Sequence, residues 1–424
     1  MRFIMTLEIL VYTYLLHFSY KNIISPDYSY MGYIYINPQH DTTIILIFLI
    51  MIPCIFMPLS FKVVSDLCVW LLYLFVYIPI LLVANYQGIA ISGSLYLIFG
   101  MLCFCLMLLA GIRYIPLMNI STPKVNTKSL KVLFAIITIF FLILIFKTSG
   151  FHLVAPVESE EIYGTRLAFR EKVTPLVGYL IQWVPKLFNP LIFIYGLVKK
   201  KKNLLILGIV LQYFIYTTNG LKSTMFSLIL ISLIYWCISK KREYFGIRII
   251  LVMILIISAS LVVDLYLGDG VLTNTFTRRM IMTPGLLSYY YFDFFSNHSP
   301  ALLSYSMFSN FIPPVYNIAP PYIIGLEYFN RPDMAANANM FADAFANFGV
   351  IGILIYTIIS IGIFWVYNSV ARNKITIATL AIVMPVWCLV DTSFTTTLLT
   401  GGLLLAVIIM YFHPEDLKRR KSES

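Results

Sequence analysis

Charge is scarce in this chain. Only 12% of its 424 residues are Asp, Glu, Lys or Arg, against 60% hydrophobic residues. A soluble domain carries about 25% charged and about 45–50% apolar residues, so a water-facing globule is excluded. Mean hydropathy of +0.86 fits a polytopic membrane protein instead. Cysteine outside the apolar runs is also lacking. Cys54, Cys68, Cys103, Cys105, Cys237 and Cys388 all lie within such runs, which leaves no loop pair for a disulfide. Cys103 and Cys105 have the closest spacing, but on a helix they point about 200° apart and read as small buried apolar residues.

Other absences narrow the chemistry. The first apolar run ends in His17-Phe18-Ser19-Tyr20-Lys21, without the small residues of a cleavage site, so it is expected to stay as a span. The chain has no phosphate-binding P-loop, no paired carboxylates for a metal-bound nucleotide sugar, no HExxH and no GxSxG. His17, His40, His152, His298 and His413 are scattered without ligand spacing. ATP hydrolysis, metalloprotease and serine hydrolase readings lose support, and neither a metal nor a cofactor is expected. An enzyme built this way needs a substrate that is already activated. The net charge of +11 suggests an anionic partner, but hydropathy rules out nucleic acid.

What is present is a series of apolar segments near 3–20, 41–59, 65–86, 90–112, 130–147, 175–198, 203–218, 222–239, 247–267, 344–369, 375–391 and 394–412. Each approaches the roughly 20 residues that a spanning helix needs. The expectation is an all-α protein of about twelve transmembrane helices, forming one integral membrane domain over 1–424. Cytoplasmic loops of membrane proteins collect Lys and Arg. With the N-terminus inside, twenty of the thirty basic residues fall on that side, including Lys199 to Lys202 and the basic tail. Both termini are therefore expected to be cytoplasmic. No internal repeat or low-complexity segment is visible. Two outer loops, about 148–174 and 268–343, exceed what a connection requires. Their Tyr, Phe, Asn and Pro content predicts folded segments lying on the membrane face.

Ten basic residues break the charge rule, and they nominate a site. Arg278 and Arg279 precede Thr283-Pro284-Gly285, where Thr283 is expected to cap a new helix with Pro284 at its first position. A helix start offers free N–H groups to phosphate, and two guanidinium groups add bidentate donors. Anchoring to lipid headgroups is the plainer account. In the first outer loop, Arg166 and Arg170 share a helical face with Tyr163, unless they pair with Glu161 or Glu171. Lys222 follows a tight turn at Asn219-Gly220, where a lysine otherwise snorkels. Lys186 lies mid-span between Pro185 and Pro190, at an insertion cost of about 2.5–3.5 kcal/mol. The prolines predict a broken helix beside a hydrated cavity.

Asn339, Asp343 and Asn347, spaced by four, form a polar stripe suited either to a hydroxyl-rich ligand or to joining helices. Asp293, within Tyr289-Tyr290-Tyr291-Phe292-Asp293-Phe294-Phe295, is a carboxylate among aromatic rings. It reads either as a general base or as a structural partner of a tyrosine.

The order of Asn219-Gly220-Leu221-Lys222-Ser223, Arg279, Thr283-Pro284-Gly285-Leu286, Tyr291-Phe292-Asp293-Phe294-Phe295 and Asn337-Ala338-Asn339-Met340-Phe341-Ala342-Asp343-Ala344-Phe345-Ala346-Asn347-Phe348-Gly349 resembles bacterial O-antigen polymerases of the Wzy type. The similarity covers roughly 150–370, while the first half matches in hydropathy alone. The resemblance implies a GT-C-like, metal-independent glycosyltransferase in the bacterial inner membrane. Such an enzyme transfers a growing glycan from undecaprenyl pyrophosphate to a lipid-linked repeat unit on the periplasmic face. Its partners are those lipid-linked oligosaccharides, the bilayer and a chain-length regulator. Arg278, Arg279, Lys222, Arg166 and Arg170 are then expected to neutralise the departing pyrophosphate. Asp293 or Asp343 takes or orients the acceptor hydroxyl proton. An O-antigen ligase, which shares the donor, and a flippase of lipid-linked units are the competing readings.

Overall fold

The computed structural model describes residues 1–88, 91–123, 127–149 and 174–414. The described residues form helices and no strand, and a helix satisfies its backbone internally where the bilayer core holds no water. Among the described residues seven helices are long and apolar enough to cross a membrane: Arg2–Met31, Ser65–Tyr86, Leu97–Tyr114, Leu176–Val198, Arg242–Leu267, Met340–Ala371 and Phe394–Phe412. Five more apolar helices are shorter: His40–Phe56, Val132–Thr148, Lys202–Thr218, Ser223–Ser239 and Ile375–Asp391. The chain is a multi-pass membrane protein of helices. It divides into two compact units. One comprises Met1–Pro116, Lys241–Trp365 and Trp387–Thr396, the other Leu117–Lys240, Val366–Val386 and Thr397–Ser424.

In the first unit the wholly buried Ser65–Tyr86 span is the centre. Its large side chains reach outward for partners. Trp70 Nε1 donates to the Pro58 carbonyl at 2.9 Å, Tyr73 to Ile50 at 2.6 Å and Tyr77 to Leu49 at 2.9 Å. The span contains a π-helical turn, Tyr73–Tyr77, followed by Pro79. In that i to i+5 register Pro79 has no N–H to offer the Leu74 carbonyl. Tyr12 fills the gap, its hydroxyl donating to Leu74 O at 2.8 Å.

Against this span lies a helix that the sequence reading places inside a surface loop. Thr273–Met282 is π-helical and runs into the α-helix Thr283–Asn297, most of whose side chains are buried. The Thr283–Asn297 helix packs on Ile78–Tyr86, and a Cβ added at Gly285 would stand 2.7 Å from the Pro79 carbonyl oxygen. Only glycine permits that approach. The 268–343 stretch therefore contributes to the protein interior rather than lying flat on its face.

In the second unit, Asn189–Val198 packs closely on Lys202–Asn219. A Cβ at Gly196 would meet Leu205 N at 2.5 Å, and one at Gly208 would meet Phe193 Cβ at 2.7 Å. Lys186 sits in a second π turn, Val184–Phe188, and the helix continues through Pro185 and Pro190. The expected break is thus a widened turn. Pro190 leaves the Pro185 carbonyl without an N–H, and Gln212 Nε2 donates to it at 2.8 Å. The proline device of the first unit is repeated.

Candidate functional site

Arg278 lies in the π-helical stretch Thr273–Met282, whose helical N-terminus is already closed. The Asp264 carboxylate accepts from Leu272 N at 3.0 Å and Thr273 N at 2.5 Å. Farther along, Thr283 has helical backbone angles and follows the helical Met282, so it opens nothing. The expected cap at Thr283, with free N–H groups for phosphate, is absent. Proline is responsible: tolerated through a π register, it lets one helix run on where the sequence suggests a start. The only N-terminus here holds the protein's own carboxylate. Anion binding must come from side chains.

The Arg278 side chain is 6% exposed. Its guanidinium lies 4.1 Å from the ring centroid of Tyr28 and 5.3 Å from that of Tyr33. Nε donates to Asn274 Oδ1 at 2.6 Å, and Nη1 stands 3.6 Å from Met31 Sδ. Among the described residues no carboxylate pairs with it. Arginine cannot shed its proton. Burying an ion costs several kcal/mol, whereas a cation–π contact returns about 0.5–2 kcal/mol. The cage holds the cation in place without neutralising it. Arg279 is exposed, and its side chain makes no hydrogen bond among the described residues.

Both cations act on Tyr33. Burial raises the Tyr33 hydroxyl above the ordinary tyrosine value, opposed by its hydrogen bond to Thr283 and by the charges of Arg278 and then Arg279. The Thr283 hydroxyl donates to the Arg278 carbonyl at 2.8 Å, so its single proton is committed and Tyr33 donates to Thr283 Oγ1 at 2.7 Å. The turn that brings Tyr28 and Tyr33 here depends on Gly32. Its φ of 85° is the left-handed region, and a Cβ would stand 1.9 Å from Tyr290 Oη. Beside the cage an open cleft of about 530 Å³ is lined by Asn22, Asp27, Tyr28, Asp264 and Asp269. Tyr28 belongs to both.

Asp293 lies fourteen positions beyond Arg279 on the same continuous helical segment. At helical rise that is roughly 20 Å, more than the two side chains can bridge to one bond. Asp293 therefore stands apart from Arg279 in this structure. Its carboxylate is exposed and accepts from the Tyr328 hydroxyl at 2.6 Å, which gives it the tyrosine partner of the plainer reading.

The stripe of Asn339, Asp343 and Asn347 is engaged internally. Asn339 Oδ1 accepts from Phe341 N at 3.0 Å and Ala342 N at 3.1 Å, capping the Met340–Ala371 helix. Its Nδ2 donates to Ser288 Oγ at 2.6 Å and Pro284 O at 3.3 Å. Asp343 Oδ2 accepts from Phe394 N at 2.8 Å. Asn347 Nδ2 donates to Asp343 Oδ1 at 3.1 Å, while its Oδ1 accepts from Leu303 N at 2.7 Å. These bonds join helices and leave little for a ligand.

Arg278, Arg279, Asp293, Asn339, Asp343 and Asn347 all belong to the first unit, Lys186 and Lys222 to the second. Lys186 is half-buried, and its side chain makes no hydrogen bond or ion pair among the described residues. Lys222 opens the Lys222–Ser239 helix, and its side chain lies outside the described residues, as do Arg166 and Arg170. Sequence reasoning missed Tyr28, Met31, Tyr33 and Asn274. The Tyr-rich run with Gly32 was visible, but nothing in it indicates a partner some 250 residues away. Comparison with family descriptions, curated proteins and solved structures finds no match.

Proposed function

We propose that this protein is a GT-C-like glycosyltransferase of about twelve spans in a bacterial inner membrane. In this reading the seven long and five shorter apolar helices all cross, and both termini face the cytoplasm. It polymerises lipid-linked oligosaccharides by transferring a glycan from undecaprenyl pyrophosphate to an acceptor repeat. The observation that carries the reading is the buried Arg278 guanidinium without a carboxylate. A diphosphate leaving group supplies the missing anion, with Arg279 beside it to take up charge as the bond breaks. A single donor of this kind contributes about 2.7–4 kcal/mol to a transition state. The donor is activated by its diphosphate, which agrees with the absence of nucleotide-binding motifs. Asp27 and Asp269, in the cleft beyond Tyr28, are nearer than Asp293 for orienting an acceptor hydroxyl.

The test is complementation of a deletion strain with Arg278→Ala and Arg279→Ala, followed by gel analysis of surface polysaccharide. Loss of long chains with single capped repeats retained supports a polymerase. Loss of all capped repeats in the deletion strain indicates a ligase. Normal chains in both variants overturn the diphosphate assignment. A flippase is disfavoured because Arg278 and Arg279 are not spread along a path, and Lys186 alone is centrally placed.

A further inference from the structure

Asp293 carries an assignment of its own, which rests on the reading just given. The helix Pro320–Phe329, ended by Asn330 in the left-handed conformation, brings Tyr328 back onto the Thr283–Asn297 helix. The Tyr328 and Tyr290 rings stack with centroids 4.3 Å apart and planes 19° from parallel. Phe329 meets Tyr290 edge-on at 5.5 Å, and Tyr289 lies 5.4 Å from it. Tyr290 is tied down by its hydroxyl, 3.3 Å from the Gly32 carbonyl.

The result is a rigid aromatic surface with one exposed carboxylate at its edge. No cation pairs with Asp293 among the described residues. Tyr328 holds Asp293 Oδ2, which leaves Oδ1 of this exposed residue as a further acceptor.

A carboxylate fixed beside tyrosine rings matches the two demands of a sugar. Its hydroxyls require charged acceptors, and its C–H faces rest on aromatic carbon. We propose that Asp293, Tyr289 and Tyr328 form a saccharide subsite that holds the glycan several sugar residues away from the diphosphate bound at Arg278 and Arg279. The offset of roughly 20 Å along the helix makes the two sites simultaneous contacts on one extended lipid-linked glycan. Asp293 is then a binding residue, and Tyr328 a positioning residue acting through it.

The full chain in lipid nanodiscs is titrated with glycan released by mild acid from the producing cell's own surface polysaccharide, a probe that lacks diphosphate. Binding is read by saturation-transfer NMR. Wild type is expected to bind, and Asp293→Ala to weaken binding about tenfold, the size of one hydrogen bond to a charged group. Tyr328→Phe keeps the ring and frees the carboxylate, so it should weaken binding less than Asp293→Ala. Arg279→Ala should leave binding unchanged. In elongation assays Asp293→Ala should raise KM for long glycans while kcat holds.

Absence of binding in wild type overturns the subsite, as does a loss in Arg279→Ala without one in Asp293→Ala. Displacement of the glycan by tetramethylammonium would reassign the surface to an ammonium ligand. Glycan binding that persists while Arg278→Ala and Arg279→Ala elongate normally would sink the diphosphate reading and leave the subsite standing. Because Asp293 is exposed, its replacement does not threaten the fold.

Discussion

Arg278→Met separates the cost of a buried cation from its use. The substitution keeps the stem and removes the charge. It forfeits the contact with Tyr28, about 0.5–2 kcal/mol. It also forfeits the charged hydrogen bond to Asn274, about 1.5–3 kcal/mol. Against these losses, the several kcal/mol needed to keep a guanidinium out of water at 6% exposure disappear. The two sides nearly cancel, so the variant should melt within about 2 kcal/mol of wild type. If the proposed polymerase reading holds, its elongation rate should fall by a factor of about 10² to 10³. Melting can be followed with a thiol-reactive dye, since Cys54, Cys68, Cys105, Cys237 and Cys388 are buried thiols outside any disulfide that label on unfolding. Inorganic pyrophosphate at one hundred times its Kd should stabilise wild type by about 2.7 kcal/mol and leave Arg278→Met unmoved. A variant that unfolds easily while retaining elongation, or one stabilised by pyrophosphate like wild type, refutes the argument.

Three further outcomes follow from the packing. Gly285→Val should cost about 3 kcal/mol or more, because its Cβ is driven toward the Pro79 carbonyl with branching besides; near-wild-type melting would contradict the close crossing. Asn339→Leu removes a helix cap and the tie to Ser288, an expected loss of about 2–3 kcal/mol in the same melt, with substrate affinity unchanged in whatever fraction stays folded. Burial raises Tyr290 from 10.0 to about 12, and raises Tyr328 further with help from Asp293. Their contribution is complete below pH 10 and is lost as pH climbs from there through the raised values, since the unfolded chain ionises first. Phenolate absorbance of these rings should therefore appear together with unfolding rather than before it.

The apolar helices were legible because hydropathy acts residue by residue and needs no partner. Each expected segment coincides with an apolar helix of the structure. The tyrosine partner of Asp293 was legible only as a residue type: the run around it suggested a tyrosine, but the one it meets is Tyr328, 35 residues on. The Thr283 region misled because its signal, Thr followed by Pro and Gly, is that of a helix start. Whether such a proline starts a helix or is absorbed by one depends on what surrounds it, and that is Pro79 and Tyr33, far off in sequence. The stripe at Asn339, Asp343 and Asn347 was ambiguous at the same level. Spacing by four placed the residues on one face, but only Ser288, Phe394 and Leu303 decide what that face meets.

The π turns carry the argument one step further. Four times among the described residues a proline follows just after a π turn, at Pro26, Pro79, Pro190 and Pro284, and each time a carbonyl five residues earlier loses its N–H. In a low-dielectric interior such a carbonyl demands a donor. Tyr12 supplies one at Leu74, and Gln212 supplies one at Pro185. The other two carbonyls belong to Lys21 and Arg279, both exposed residues, and no side chain among the described residues donates to either. The two capped carbonyls, Leu74 and Pro185, belong to buried residues, and the two without a side-chain donor belong to exposed ones, where water supplies the bond. Burial, not the π turn itself, decides where the chain must provide a Tyr12 or a Gln212.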